Sequence, residues 1–341
     1  MQYAWGPMKT AQSNWQHELA NVITDIRELA KFLDWDETTM STVSMERSSF
    51  PLRVPHSFVA RMRKNDLQDP LLLQVLFQPQ EQLSAPGYST NPLQENQFNP
   101  IPGLLHKYQG RVLLIMTGAC AINCRYCFRR HFPYSAQLPN KTQWQVILNY
   151  IAGDDSIEEV ILSGGEPLLL KDTQLQSVLE DLSKITHLKW LRIHTRMPVV
   201  IPQRITNTFI SVLQHCHLRC TIVIHSNHPN EISVEVQEAM RLLQRQSITV
   251  LNQSVLLKGI NDDARVLSQL SKILFSCGVL PYYCHFLDPV QGAAHFFVTK
   301  SKGLHIMQIL QKTLPGYLVP RLVFEKPGAA SKLNLSGTES A

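Results

Sequence analysis

From Leu104 onward the chain alternates between short apolar runs and longer amphipathic stretches. The apolar runs at residues 112–116, 159–162, 190–194, 220–225, 249–256 and 280–286 read as strands. The stretches at 141–152, 173–185, 204–216, 234–246 and 264–277 carry a helical period. Strands alternating with helices of about 10–15 residues predict βαβ units around a parallel sheet. Six such strands fall short of the eight that close a barrel. The expected fold is α/β, a partial (βα)6 TIM-like barrel, with an open doubly wound sheet as the alternative.

The flanks follow other patterns. Residues 1–104 hold helical patterns at 15–33 and around 58–62, then turn-rich segments at 84–87 and 99–103. They read as an N-terminal helical lead-in that wraps the core. Residues 105–300 form the barrel, and 301–341 are a C-terminal part. That part has a helix pattern at 301–314 and a tail punctuated by proline and glycine from 315.

Composition narrows the class. Apolar residues make up 44% of the 341, ample for a buried core. The formal charge of +5, from 32 basic and 27 acidic residues without long blocks, is too mild to suggest nucleic acid as a partner. The N-terminus lacks a charged start followed by an apolar core, so no signal peptide is expected. No apolar stretch approaches the roughly 20 residues that span a bilayer, so no membrane association is expected either. An odd set of seven cysteines, three of them clustered, argues against a disulfide framework. A cytoplasmic enzyme is the expectation.

The cluster is Cys120-x3-Cys124-x2-Cys127, directly after the first strand. A four-iron cluster normally takes four cysteine thiolates, and a tight group of three suggests one iron left open for chemistry. A zinc site or three unrelated thiols is the plainer alternative. After the second strand comes Ser163-Gly164-Gly165-Glu166-Pro167. Its glycines allow close approach of a ligand to the backbone, and Glu166 offers a carboxylate to an ammonium group. His225-Ser226-Asn227-His228 at the fourth strand end reads as a polar loop or a set of nucleoside contacts rather than a zinc pair. Asn252-Gln253-Ser254 interrupts the apolar fifth strand, and such side chains need protein or ligand partners. In α/β folds chemistry gathers at these C-terminal strand ends. The motifs also suit a radical enzyme without a further cofactor, or a cluster-bearing electron-transfer protein.

Residues 100–335 resemble the lysine 2,3-aminomutases, which are radical S-adenosylmethionine enzymes. The likeness is strongest to the bacterial branch that serves modification of elongation factor P. It is carried by PGLLHKYQGRVLL, CAINCRYCFRRHFPY, LSGGEPLLL, LRIHTRMPVVIPQRI, HSNHPNEI, LNQSVLLKGIND, PYYCHFLDPVQGAAHF and GYLVPRLVFEKPGAASK. The resemblance implies a [4Fe-4S] cluster on Cys120, Cys124 and Cys127, with S-adenosylmethionine held by Ser163, Gly164, Gly165 and Glu166. His225 and Gln253 would meet its ribose. Pyridoxal 5′-phosphate would form a Schiff base with Lys332, and Lys107, Tyr108 and Arg111 are candidates for its phosphate. The loop before Lys332 departs from the family's glycine run at Ala329, Ala330 and Ser331. By the same likeness Arg129 would bind the substrate carboxylate, with Arg130 a structural or surface charge. Asp288 and Glu325 would bind the distal ammonium, Glu325 standing where lysine-specific relatives outside this branch have aspartate. The implied reaction is an isomerisation, L-lysine to (R)-β-lysine. A reducing partner such as flavodoxin or ferredoxin would serve it, and a ligase would pass the product to elongation factor P. Glutamate and ornithine remain alternative substrates.

Overall fold

The computed structural model describes residues 15–44 and 48–335. The lead-in holds four short helices: α1 (Trp15–Ala20), α2 (Ile26–Phe32), α3 (Glu37–Thr42) and α4 (His56–Val59). Strands β1 (Leu104–Tyr108) and β2 (Arg111–Thr117) follow as a hairpin. The βα units are then α5 (Lys141–Ala152), β3 (Glu159–Gly164), α6 (Asp172–Ser183), β4 (Trp190–Thr195), α7 (Met197–Val200), α8 (Asn207–Gln214), β5 (Arg219–His225), α9 (Val234–Arg245), β6 (Thr249–Val255), α10 (Ala264–Ser276) and β7 (Val279–His285). Helix α11 (Lys300–Thr313) and strands β8 (Arg321–Phe324) and β9 (Leu333–Asn334) complete the described chain. No helix among the described residues is long and apolar enough to cross a membrane.

Local chemistry explains where the helices begin. Asn140 and Gln143 cap each other's backbone N–H groups at 2.9 Å, which starts α5. Thr206 accepts from the Phe209 N–H at 3.0 Å and starts α8. The helix expected from 204 begins later because Pro202–Arg204 makes a separate 3₁₀ turn before that cap. In α9 the buried residues Val236, Ala239, Met240 and Leu243 recur at helical spacing and face the sheet. The pattern at 15–33 splits into α1 and α2 because Ile23 leaves the helix to pair with Val54.

The sheet runs β1 to β9 in sequence order. Strands β2 through β8 are parallel, which is the partial-barrel arrangement, with antiparallel β1 and β9 at the two edges. The parallel set has one strand more than expected. The segment from 315 was expected to be a tail, yet it supplies β8 against β7 and then returns as β9. Four residues between prolines and a charged turn were too short a run to stand out. The lead-in packs on the barrel through polar contacts: Ser57 Oγ donates to the Val200 carbonyl at 2.6 Å and Arg61 Nη2 to Val199 at 2.8 Å.

One close approach sets the shape of the functional end. Strand β2 shifts register between Ile115 and Thr117, pairing Thr117 with Gly164. The loop after β2 then lies directly on the end of β3. Gly164 has φ of +110°, and a Cβ there would lie 2.7 Å from the Thr117 carbonyl oxygen. A Cβ on Gly165 would lie 2.4 Å from that of Ala119. The two glycines thus admit the chain's own cysteine loop. Gly165→Ala should destabilise the protein by about 1–3 kcal/mol in urea denaturation, because backbone must move. Gly316→Ala, with open space around it, should change little.

Candidate active site

The C-terminal strand ends surround a cavity of about 800 Å³. The residues that the resemblance assigned to the site all line it: Lys107, Tyr108, Arg111, Cys120, Cys124, Cys127, Arg129, Ser163, Gly164, Gly165, Glu166, His225, Gln253, Asp288, Glu325 and Lys332. Residues more than 200 positions apart therefore share one space.

The cysteine loop has little regular structure and is buckled in place from outside. Arg53 Nε donates to the Cys120 carbonyl at 2.7 Å, and the Asn123 N–H donates to Arg53 at 2.9 Å. The Arg125 N–H donates to the Gln74 carbonyl at 2.8 Å. Glu81, from the lead-in, sits between Arg125 and Arg130 and accepts from both. All three side chains are buried. Arg130 is thus buried and structural rather than a surface charge.

The three thiols line the cavity wall without converging on one point. Among the described residues no three His, Cys, Asp or Glu side chains are grouped as ligands of a single metal ion. A four-iron cluster takes each thiolate on a different iron, so its sulfurs need not converge, and the soft donor set fits it. Burial pushes the Cys127 thiol up to about 12, helped by Cys124, and raises Cys120 in the same way. Binding iron would release those protons. Cys124 Sγ accepts from Arg196 Nη1 at 2.7 Å.

Glu166 is held by its own chain. Its carboxylate accepts from the N–H groups of Leu168, Arg196 and Met197 and from Thr195 Oγ1, at 2.6–3.2 Å. Four donors saturate a carboxylate's lone pairs. Glu166 therefore ties the end of β3 to the end of β4, and an ammonium group there would take the place of one of these donors. His225 Nε2 lies 2.9 Å from the Tyr126 hydroxyl, which itself donates to Gln74 at 3.1 Å. Burial, then Arg196, pushes His225 down to about 3, so it is neutral. Asn227 Nδ2 donates to the same hydroxyl at 2.7 Å, and Glu231 accepts from Arg196 at 2.9 Å. His228 caps a short turn by accepting from the Asn230 N–H.

At the opposite end, Glu325 accepts from Lys332, from Lys107 at 2.8 Å and from the Tyr108 hydroxyl at 3.3 Å. Arg111 stacks on Tyr108 at 5.0 Å. Asp288 is pushed up to about 7, by burial first and then by the Glu325 carboxylate. Between the two ends, Arg129 is buried and paired with Glu95. His194, also on the cavity wall, has its Nε2 buried with no protein partner. Such an orphaned ring nitrogen fits a cavity made for a bound group.

Arg196, Glu231, Gln74, Tyr126 and Glu95 were not anticipated. Arg196 had a signal, since Thr195-Arg196 places polar residues at an apolar strand's C-terminal end. Gln74 and Glu95 had none, lying in lead-in stretches without period.

A parallel partial barrel with a three-cysteine loop after its first parallel strand defines the radical S-adenosylmethionine class, and the Radical SAM superfamily model matches residues 114–268. That class implies an iron–sulfur cluster and S-adenosylmethionine. The chain is 48% identical over 326 residues to the L-lysine 2,3-aminomutase of Haemophilus influenzae, covering 96% of each. It is 47% identical to that of Escherichia coli, covering 95% of each. It is 34% identical to that of Clostridium subterminale, over 94% of this chain and 77% of the relative. The chain belongs to the lysine 2,3-aminomutase family and is an isomerase.

The Glu81 clamp is directly testable. Glu81→Ala would leave two arginines buried without a counter-charge, at a cost of about 3–5 kcal/mol. Urea denaturation of the apoprotein should show that loss.

Proposed function

We propose that this enzyme converts L-lysine to (R)-β-lysine with pyridoxal phosphate on Lys332, and that a separate ligase places the product on elongation factor P. The observation that carries the reading is the convergence of the cysteine loop, Arg129, the Asp288–Glu325 acids and Lys332 on one cavity. The near full-length likeness to relatives named L-lysine 2,3-aminomutase supports the substrate.

When bound, the cluster with S-adenosylmethionine supplies a hydrogen-abstracting radical, and pyridoxal phosphate supplies an electron sink for the migrating amino group. Cys120, Cys124 and Cys127 would hold the cluster. The Ser163–Gly165 backbone would hold the methionine end of S-adenosylmethionine, and His225 and Gln253 its ribose. Lys107, Tyr108 and Arg111 would meet the phosphate of the second cofactor. Arg129 receives the substrate carboxylate as a planar fork. Asp288 and Glu325 face the distal ammonium, which must be paired once buried. An amine at Lys332 committed to the cofactor frees one oxygen of Glu325 for that ammonium. Held at both ends, the substrate presents a fixed carbon to the radical source, and the enclosed cavity limits water. A one-electron donor such as flavodoxin or ferredoxin and a cytoplasmic setting complete the reading. Neither nucleic acid nor membrane enters it.

Anaerobic assay with dithionite, S-adenosylmethionine and a panel of lysine, ornithine and glutamate should give β-lysine from lysine. Turnover of only another amino acid would overturn the substrate. Purified enzyme should absorb near about 410–420 nm above the cluster background. Lys332→Ala should lose that band and turnover, and retention of both sinks the cofactor assignment.

The pH profile offers a second check. Glu325, Glu95, Lys332 and Lys107 are the charged groups that bear on Asp288. An acid raised to about 7 is protonated below that pH and cannot pair an ammonium. The kcat/KM for lysine should therefore rise with pH through about 7 and then level, and Asp288→Asn should abolish this limb while keeping both cofactors.

A further inference from the structure

Arg129 has two edges that can each grip a carboxylate, and the protein treats them differently. Along one edge Nε and Nη2 donate to Glu95 Oε2 and Oε1 at 2.9 and 2.6 Å. On the other side Nη1 makes only 3.3 Å contacts, to Ser163 Oγ and the Gly164 carbonyl. Short bonds to a charged acceptor are roughly twice as strong as neutral ones, and those at 3.3 Å are weaker still. A carboxylate entering the cavity would therefore displace Ser163 and Gly164 before it displaced Glu95.

We propose that Glu95 is the positioning residue that aims Arg129: it keeps the Nε–Nη2 edge and turns the Nη1 side of the fork toward the substrate carboxylate. This rests on the reading of Arg129 as the carboxylate receptor. The backbone around Glu95 is built for such a task. Gln94 takes a left-handed conformation, φ +50°, uncommon for a residue with a side chain, and opens the 3₁₀ turn Glu95–Phe98. Strain of this kind persists where surrounding structure holds it for a purpose. Leu93 is buried beside it, so the turn is anchored. The rings of Phe128 and Phe132 lie 5.0 and 5.5 Å from the guanidinium and limit its swing. Glu95 belongs to the lead-in, so substrate recognition draws on a segment outside the barrel.

Steady-state kinetics of the loaded enzyme, with 1,5-diaminopentane as a competitive inhibitor lacking the carboxylate, tests this. Glu95→Gln should raise KM for lysine roughly tenfold while kcat changes little and iron content is unaltered. The inhibition constant of diaminopentane should stay unchanged. A KM that is unchanged or lower, as when Glu95 merely blocks the fork, overturns the proposal, and so does an equal loss for diaminopentane. Arg129→Ala separates the two levels. If it leaves KM for lysine unchanged, the reading of Arg129 fails. If it raises KM while Glu95→Gln does not, only the role of Glu95 fails. Should Glu95→Gln not accumulate, Glu95→Asp keeps the charge with a shorter reach: an intermediate rise in KM supports the proposal, and none overturns it.

Discussion

The carboxylate of Glu81, held between Arg125 and Arg130, is the contact on which the functional end of this protein depends. The cysteine loop has too little regular structure to hold its own shape, yet three cysteines must present their sulfurs to one cluster. Rigidity has to come from elsewhere. Glu81 of the lead-in, gripped at both oxygens by Arg125 and at one by Arg130, supplies it from one side, and the close passage of Gly165 under Ala119 supplies it from the other. Arginine suits the position because its planar fork loses little freedom per bond formed, where lysine would offer a single flexible point charge. The N-terminal segment is thus part of the catalytic frame.

A second constraint runs through the cavity. Most of its charged side chains already have a protein partner: Arg129 with Glu95, Glu325 with Lys107 and Lys332, Arg196 with Glu231. Unpaired charges in a buried space are costly, so a cavity awaiting charged ligands satisfies itself first. Ligands then bind by exchanging partners. In this family's radical chemistry that matters, since a site already organised by its own pairings needs little rearrangement when its ligands arrive.

Much of this was legible from residue order. Apolar runs located the barrel strands from β2 to β7 and helical periodicity the helices between them apart from the short α7, because burial against the layers imposes both patterns. Strand β8 escaped because four residues carry too little pattern. Glu166 shows what a local motif leaves out. A carboxylate after a Gly-Gly turn is able to face a ligand or a neighbouring strand end, and only the folded chain shows that Arg196 and Met197 donate to it.

By itself the sequence determined the chemical inventory: the cysteine spacing, the polar residues at strand ends, the parallel βαβ units and the family to which all of these belong. Those properties are local or periodic, so they survive being written as a line. Tertiary structure alone decided the pairings. Glu81 meets residues more than forty positions away, Glu95 meets Arg129, and Lys332, just before β9, returns to a cavity begun by β1. Such contacts depend on where distant segments come to rest against a common core, a question of packing and burial that no short-range pattern encodes.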